Sequence, residues 1–299
     1  MAIDINSVHL LLSARKEGVQ FGKVLMFGRQ NLNVFPATLA QMLKERGLPH
    51  EEVAALSAKD PDDVYAEPLF RALGATEIVS LDASHYQGSS FEHDMNLPIP
   101  EKFKKQFDVV YDGGSIEHVF NAPQALKNCL EMVKIGGSYF VHTTANNCFG
   151  HGFYQFSPEF FFRALSKENG FKLERLIAHR VGPYNRWYEV SDPMVIHERV
   201  ELISFSQVYA LAHGRRIVEA EIFAKMPQQS DLLVEWGAST PGAPPQAPPQ
   251  ESRLVRLEKS IARVSPRLAR ILHVIRIGFL FYSNFSLFNR RFFKPIDKG

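Results

Sequence analysis

The chain has 299 residues, 45% of them hydrophobic and 22% charged, which suffices for one large core or two modest ones and excludes a disordered chain. A formal net charge of +2 argues against nucleic-acid binding by bulk electrostatics, so any basic surface has to be local. Cys129 and Cys148 lack CxxC spacing and a His/Cys cluster, so neither a disulfide framework nor a metal site is expected. Asp4 stands where a signal peptide wants positive charge and the apolar run 8–12 is too short for one, which predicts a cytoplasmic protein.

Along the chain, short β-rich runs at 23–27, 77–81, 107–111 and 138–143 alternate with helical patterns at 37–46, 122–133 and 158–167. Pro123 suits a first helical turn and Ser157 an N-cap. This rhythm belongs to a parallel sheet covered by helices. Runs 171–180 and 217–226 read as two further strands forming an antiparallel terminal hairpin. Between them lies an insertion, 181–216, whose Tyr184, Arg186, Trp187, Tyr188 and His197 make it a candidate lid or substrate contact. The predicted fold is α/β: a doubly wound, mostly parallel seven-stranded sheet with an antiparallel terminal hairpin, followed by a C-terminal helical tail.

Residues 1–236 carry this body, 237–252 form a Pro-rich linker that favours extended polyproline II, and 253–299 form a basic tail. In the tail, basic residues at 253, 256, 259, 263, 267 and 270 and apolar residues at 254, 257, 261, 264, 268, 272 and 275 keep helical spacing on different faces. Ser265-Pro266 predicts the start of a second helix. The apolar stretch 277–289, bracketed by Arg276 and Arg290-Arg291, has about half the length needed to span a bilayer. A peripheral membrane contact, docking on the body and pairing of two subunits are the three uses open to this tail.

Ligands of doubly wound sheets bind where strands end. The first strand ends in Phe27-Gly28-Arg29-Gln30, and Gly28, lacking a Cβ, lets a nucleotide-type ligand approach the backbone. The second ends in Ser80-Leu81-Asp82, whose carboxylate can accept both hydrogen bonds of a ribose diol. Taken alone, an acid in the position of Asp82 is more often a solvated turn residue. Asp94-Met95 follow in a loop where a carboxylate can accept from an adenine amino group while a thioether packs on the ring. The next strand ends in Asp112-Gly113-Gly114-Ser115 and runs into Glu117-His118, and Gly136-Gly137 form the turn before the following strand.

This ordered set resembles class I S-adenosylmethionine-dependent methyltransferases of Rossmann-like fold over residues 21–226. The resemblance implies S-adenosylmethionine as cofactor, Asp82 as the ribose acid, Asp94 and Met95 as the adenine loop, and Phe27, Gly28, Arg29, Asp112 and Gly113 near the methionine end. The segment 147–159 is similar to one in bacterial methyltransferases of glycan and surface-polysaccharide pathways, which implies a sugar or glycan-precursor hydroxyl as acceptor. The chain departs from the family after its first strand, where an acid and several glycines are usual and Met26, Phe27, Gly28, Arg29 and Gln30 stand instead.

Methyl transfer from a sulfonium is an in-line displacement that needs no covalent nucleophile, and a hydroxyl acceptor is helped by a general base. His118, His151 and Glu117 are the candidates, with His matched to neutral pH. Two other readings compete. One is a nicotinamide-dependent oxidoreductase, which wants a glycine-rich fingerprint that this chain lacks. The other is a non-catalytic relative that binds partners on the same fold.

Overall fold

The computed structural model describes residues 2–48, 64–181, 186–233 and 253–298. Its strands are β1 (Ala2–Ile3), β2 (Lys23–Phe27), β3 (Asn31–Leu32), β4 (Glu77–Asp82), β5 (Phe91–Glu92), β6 (Phe107–Asp112), β7 (Val133–Asn146), β8 (Phe171–Arg180), β9 (Trp187–Val190), β10 (Val208–Arg216) and β11 (Phe293–Ile296). Among the described residues, β1 and β3 pair with each other, and the remaining nine form one mixed sheet in the order β11-β9-β8-β10-β7-β6-β2-β4-β5. From β5 to β7 neighbouring strands pair in parallel. From β7 to β11 they pair antiparallel, with β10 wedged between β7 and β8.

Side chains alternate along the strands, so each strand feeds two cores. Val24 and Met26 face the layer built by helices Ile5–Lys16, Pro36–Glu45 and Glu67–Ala72. Leu25 and Phe27 face helices Ala122–Met132 and Pro158–Ala164. Helix starts follow local chemistry: Asp4 caps the first by accepting from Ser7 N at 2.8 Å, Asn121 accepts from Gln124 N, and Ser157 accepts from Glu159 N.

Four expectations change. The sheet is nine-stranded rather than seven-stranded and is mixed, because β9 and β11 extend the antiparallel side. The strand that pairs with β8 is β10, Val208–Arg216, not 217–226: Val208, Ala210, Leu211 and Ala212 are buried between two strands, whereas Ile217, Val218 and Glu219 are exposed. A lid role for the insertion does not suit Trp187 and Tyr188, which lie buried in β9, with Trp187 Nε1 donating to Asn6 Oδ1 at 3.0 Å. Tyr184 and the linker 237–252 lie outside the described residues. Finally, the tail is not wholly helical. After helices Arg253–Val264 and Pro266–Asn284, the second capped by Ser265, the chain returns to the body and its β11 covers the edge of β9, burying Phe292 and Phe293.

One buried base makes the fold sensitive to acid. His213 is fully buried, its ring stacked 4.2 Å from Phe140 and its Nε2 3.0 Å from Ser138 Oγ. Burial, then the nearby Arg215, Arg175 and Lys172, lowers its pKa to about 3. The unfolded chain therefore binds a proton that the folded chain refuses, and stability falls as pH drops below the ordinary imidazole value toward the folded one. In urea titrations across that range, His213→Phe should flatten the loss by up to about 1.4 kcal/mol per pH unit. An unchanged slope would show that His213 does not titrate in this way.

Candidate functional site

The carboxyl ends of β2, β4 and β6 stand side by side, because Phe27 pairs with Leu81 on one side and with Asp112 on the other. Their loops are tied together at one atom: the Phe27 carbonyl accepts from Ser115 Oγ at 2.6 Å and from Gln30 Nε2 at 2.6 Å. Gly28 follows at φ +70°, and a Cβ there would lie 2.8 Å from Ser115 Oγ, so this turn requires glycine. A cavity of about 230 Å³ opens over the loops, lined by Phe27, Gly28, Arg29, Gln30, Asp82, Asp94, Met95, Ser115, His118 and Val119 among others.

The lining residues differ in how free they are. Asp82 is half-buried and accepts from Ala83 N at 2.7 Å. Asp94 is exposed, and hydrogen bonds from the backbone and side chain of Asn96 lower its pKa. Arg29 is committed elsewhere, bonding Glu67 at 2.6 Å and stacking 3.7 Å over Tyr65. Gln30 sits instead at the centre, buried between Gly28 and Gly113, with Oε1 lacking any hydrogen-bond partner.

Asp112 does not line this cavity. It is fully buried behind the wall, where Oδ1 accepts from Gly114 N at 3.1 Å and Ser115 N at 2.7 Å, holding the 113–115 turn. Burial, and then the nearby Glu117, push its pKa up to about 8. Gly113 lines a second cavity of about 230 Å³ with Asp4, Gly114, Glu117, His142, His151, His179 and Tyr209.

Glu117 and His118 stand between the two cavities, one lining each. The buried Glu117 carboxylate accepts from Thr143 Oγ1 at 2.7 Å, and burial raises its pKa. The 147–156 loop brings His151 to the same place: Phe153 N donates to the Glu117 carbonyl at 2.7 Å, and His151 Nε2 lies 3.8 Å from Glu117 Oε1. The His118 and His151 rings are 5.3 Å apart. Burial, and then His151, hold the His118 pKa below its ordinary value, which leaves His118 neutral and able to accept a proton at neutral pH. Thus the neighbours Glu117 and His118 and the distant His151, all singled out in the sequence, form one cluster.

Sequence reasoning missed Asp4, His142, His179 and Tyr209. They come from the first residues and from β7, β8 and β10, and only the sheet brings them together. Of the insertion residues, Arg186 and Tyr188 line a third cavity beside the C-terminal tail.

No protein-family profile matches the chain, and no curated protein does. Solved structures give distant likenesses. A protein from Bacillus halodurans described as a candidate methyltransferase is 11% identical with a TM-score of 0.36, covering 69% of this chain and 99% of its own. A branched-chain polyamine synthase from Thermus thermophilus, complexed with N4-aminopropylspermidine and 5'-methylthioadenosine, is 13% identical with a TM-score of 0.35, covering 75% and 60%. The trans-methyltransferase CalH in complex with SAH is 12% identical with a TM-score of 0.36, covering 71% and 56%. Likenesses this distant assign no activity.

The packing of the 147–156 loop on Glu117 can be read from two glycines. Gly150 and Gly152 have φ of +85° and +88°, but only at Gly152 would a Cβ meet the Glu117 carbonyl, at 2.7 Å, while Gly150 faces open space. Both alanine variants incur the left-handed strain of about 1–3 kcal/mol. Gly152→Ala should cost distinctly more than Gly150→Ala in denaturant melts, and equal losses would contradict this packing.

Proposed function

We propose that the chain transfers the methyl group of S-adenosylmethionine to a small acceptor, a hydroxyl of a sugar or glycan precursor. The observation that carries the reading is the pair of cavities meeting at one wall, one lined by Gly28, Asp82, Asp94 and Met95, the other by Glu117, His151 and Tyr209. The first suits the cofactor in chemistry as well as position. Asp82 and Asp94 are carboxylates open to ligand donors, and the Cβ-free Gly28 lets a ligand reach the backbone. Gln30 takes the place of the acid usual after the first strand.

Bound there, S-adenosylmethionine would supply an electrophilic methyl on a sulfonium. The chain's own residues have three tasks. Asp82 accepts from the ribose hydroxyls, and Asp94 with Met95 takes the adenine. Gln30 orients the amino-acid end. His118, on the wall of the first cavity, or His151, on that of the second, accepts the proton of the acceptor hydroxyl, while Glu117, buried and held by Thr143, lies 3.8 Å from His151. Exposed Phe120, Phe149 and Phe153 flank the cluster in sequence and offer apolar surface to an acceptor ring.

Calorimetry with S-adenosylmethionine and S-adenosylhomocysteine tests the reading. Both should bind, and Asp82→Ala should weaken them by about tenfold or more, the loss of a charge-assisted hydrogen bond. No binding at millimolar ligand would end the proposal, and NAD binding would favour the oxidoreductase.

Once an acceptor is found, His118→Ala and His151→Ala separate binding from chemistry. The variant lacking the base should lose about 10²–10⁴-fold in kcat, and His151→Ala, whose side chain lines only the second cavity, should bind cofactor unchanged. If His118 is that base, kcat/KM falls with acid through a midpoint below the ordinary imidazole value, since protonation removes the acceptor lone pair. A flat profile in wild type would exclude His118.

A further inference from the structure

We infer that the second cavity holds a divalent transition-metal ion of the zinc type on His142, His179 and Asp4. One ligand atom from each of the three lies within 4.8 Å of the others, and all three residues line the cavity. His142 Nε2 and His179 Nε2 are 2.9 Å apart. Two imidazole nitrogens about 2.0–2.1 Å from one ion lie between about 2.9 and about 3.4 Å apart, from right-angled to tetrahedral geometry. The observed spacing already fits two ligands of one ion.

The surroundings orient these groups as metal ligands are commonly oriented. His142 Nδ1 is 3.0 Å from Ser7 Oγ, and His179 Nδ1 is 3.4 Å from the Arg180 carbonyl, an acceptor only. His142 Nδ1 also lies 3.7 Å from Asp4 Oδ1, and with the proton on Nδ1 of both rings both Nε2 lone pairs face the same space. Asp4 is held by Ser7 N and Asn6 Nδ2, each at 2.8 Å. Two histidines and a carboxylate suit zinc and its late first-row neighbours. The remaining positions would face the cavity that also holds Glu117, His151 and Tyr209. An acceptor oxygen bound there would be acidified, a consequence that alone rests on the methyl-transfer reading.

A proton can bridge the same two nitrogens if Ser7 donates to His142 and His142 to His179, so the experiment must detect the ion itself. Chelator-treated full-length protein is titrated with Co²⁺ alone, without cofactor, and then challenged with Zn²⁺. One equivalent should give visible ligand-field bands that Zn²⁺ removes. His179→Gln and His142→Ala should weaken binding by about 100-fold or more, beyond the 10–100-fold typical of losing a supporting partner. Thermal melts of the metal-free variants separate loss of a ligand from loss of fold. Absence of the bands, or undiminished binding in a folded variant, overturns the site and leaves the cofactor titration untouched.

A different observation carries a second inference: helix Pro266–Asn284 lies on an anionic lipid surface. Ile271, Val274, Ile275, Phe279 and Phe281 are exposed, and only Ala269 is buried. Among the described residues no helix is long and apolar enough to cross a membrane. The helix contains Arg267, Arg270 and Arg276 and no acidic residue, and Arg290 and Arg291 follow it. At its end a cavity of about 380 Å³ is lined by Arg180, Arg186 and Arg290 with Tyr188, Ser204 and Ser286, chemistry suited to a phosphate headgroup. Apolar side chains beside cationic ones, with no acids, match an anionic membrane interface.

Flotation of the full chain with neutral phosphatidylcholine vesicles and with vesicles carrying phosphatidylglycerol is the test. The anionic vesicles should retain it in a salt-sensitive way, and Ile275→Glu with Phe279→Glu should reduce retention by about tenfold or more. Failure of wild type to float, or unchanged flotation of the double variant, overturns the inference. Light scattering that shows a dimer dispersed by the same substitutions, without flotation, would assign the helix to subunit pairing.

Discussion

Glu117 is buried at the seam of two cavities, and both ends of the residue are engaged by distant parts of the chain. Its carbonyl takes the Phe153 amide and its carboxylate takes the Thr143 hydroxyl, so the 116–118 turn, the 147–156 loop and the end of β7 are fixed relative to one another. A buried carboxyl with a raised pKa is costly unless its hydrogen bonds are made. The rest of the site depends on that constraint.

The other fixed point is the Phe27 carbonyl, where Ser115 and Gln30 both donate. A loop with several glycines can wrap a ligand with its backbone; this one has Gly28 alone and packs an amide side chain into the space. The wall at this loop is therefore built by the Gln30 side chain, packed between Gly28 and Gly113. Arg29, the other residue that could have compensated, is held by Glu67 and Tyr65.

What the sequence made legible follows from range. The runs 23–27 and 107–111 are mostly apolar and 171–180 carries apolar residues at half its positions, and their strands lie where the pattern puts them. β10 was misplaced by about nine residues because Ala210, Ala212 and Gly214 have weak strand propensity and owe their strand to burial between β7 and β8. β9 and β11 are four residues each and form by pairing across about 100 residues of chain, which no local pattern reports. Likewise Glu117-His118 stood out as neighbours, whereas the grouping of Asp4, His142 and His179 exists only in the folded sheet.

The central claim is that a nucleoside-binding cavity and an acceptor cavity meet at the Glu117-His118 turn. A crystal structure with S-adenosylhomocysteine tests it most directly. The account predicts the ribose on Asp82, the amino-acid end against Gln30 and the sulfur facing the Glu117, His118 and His151 cluster. Ligand bound in the arginine-lined cavity by the tail, or a sulfur turned away from that cluster, would contradict it.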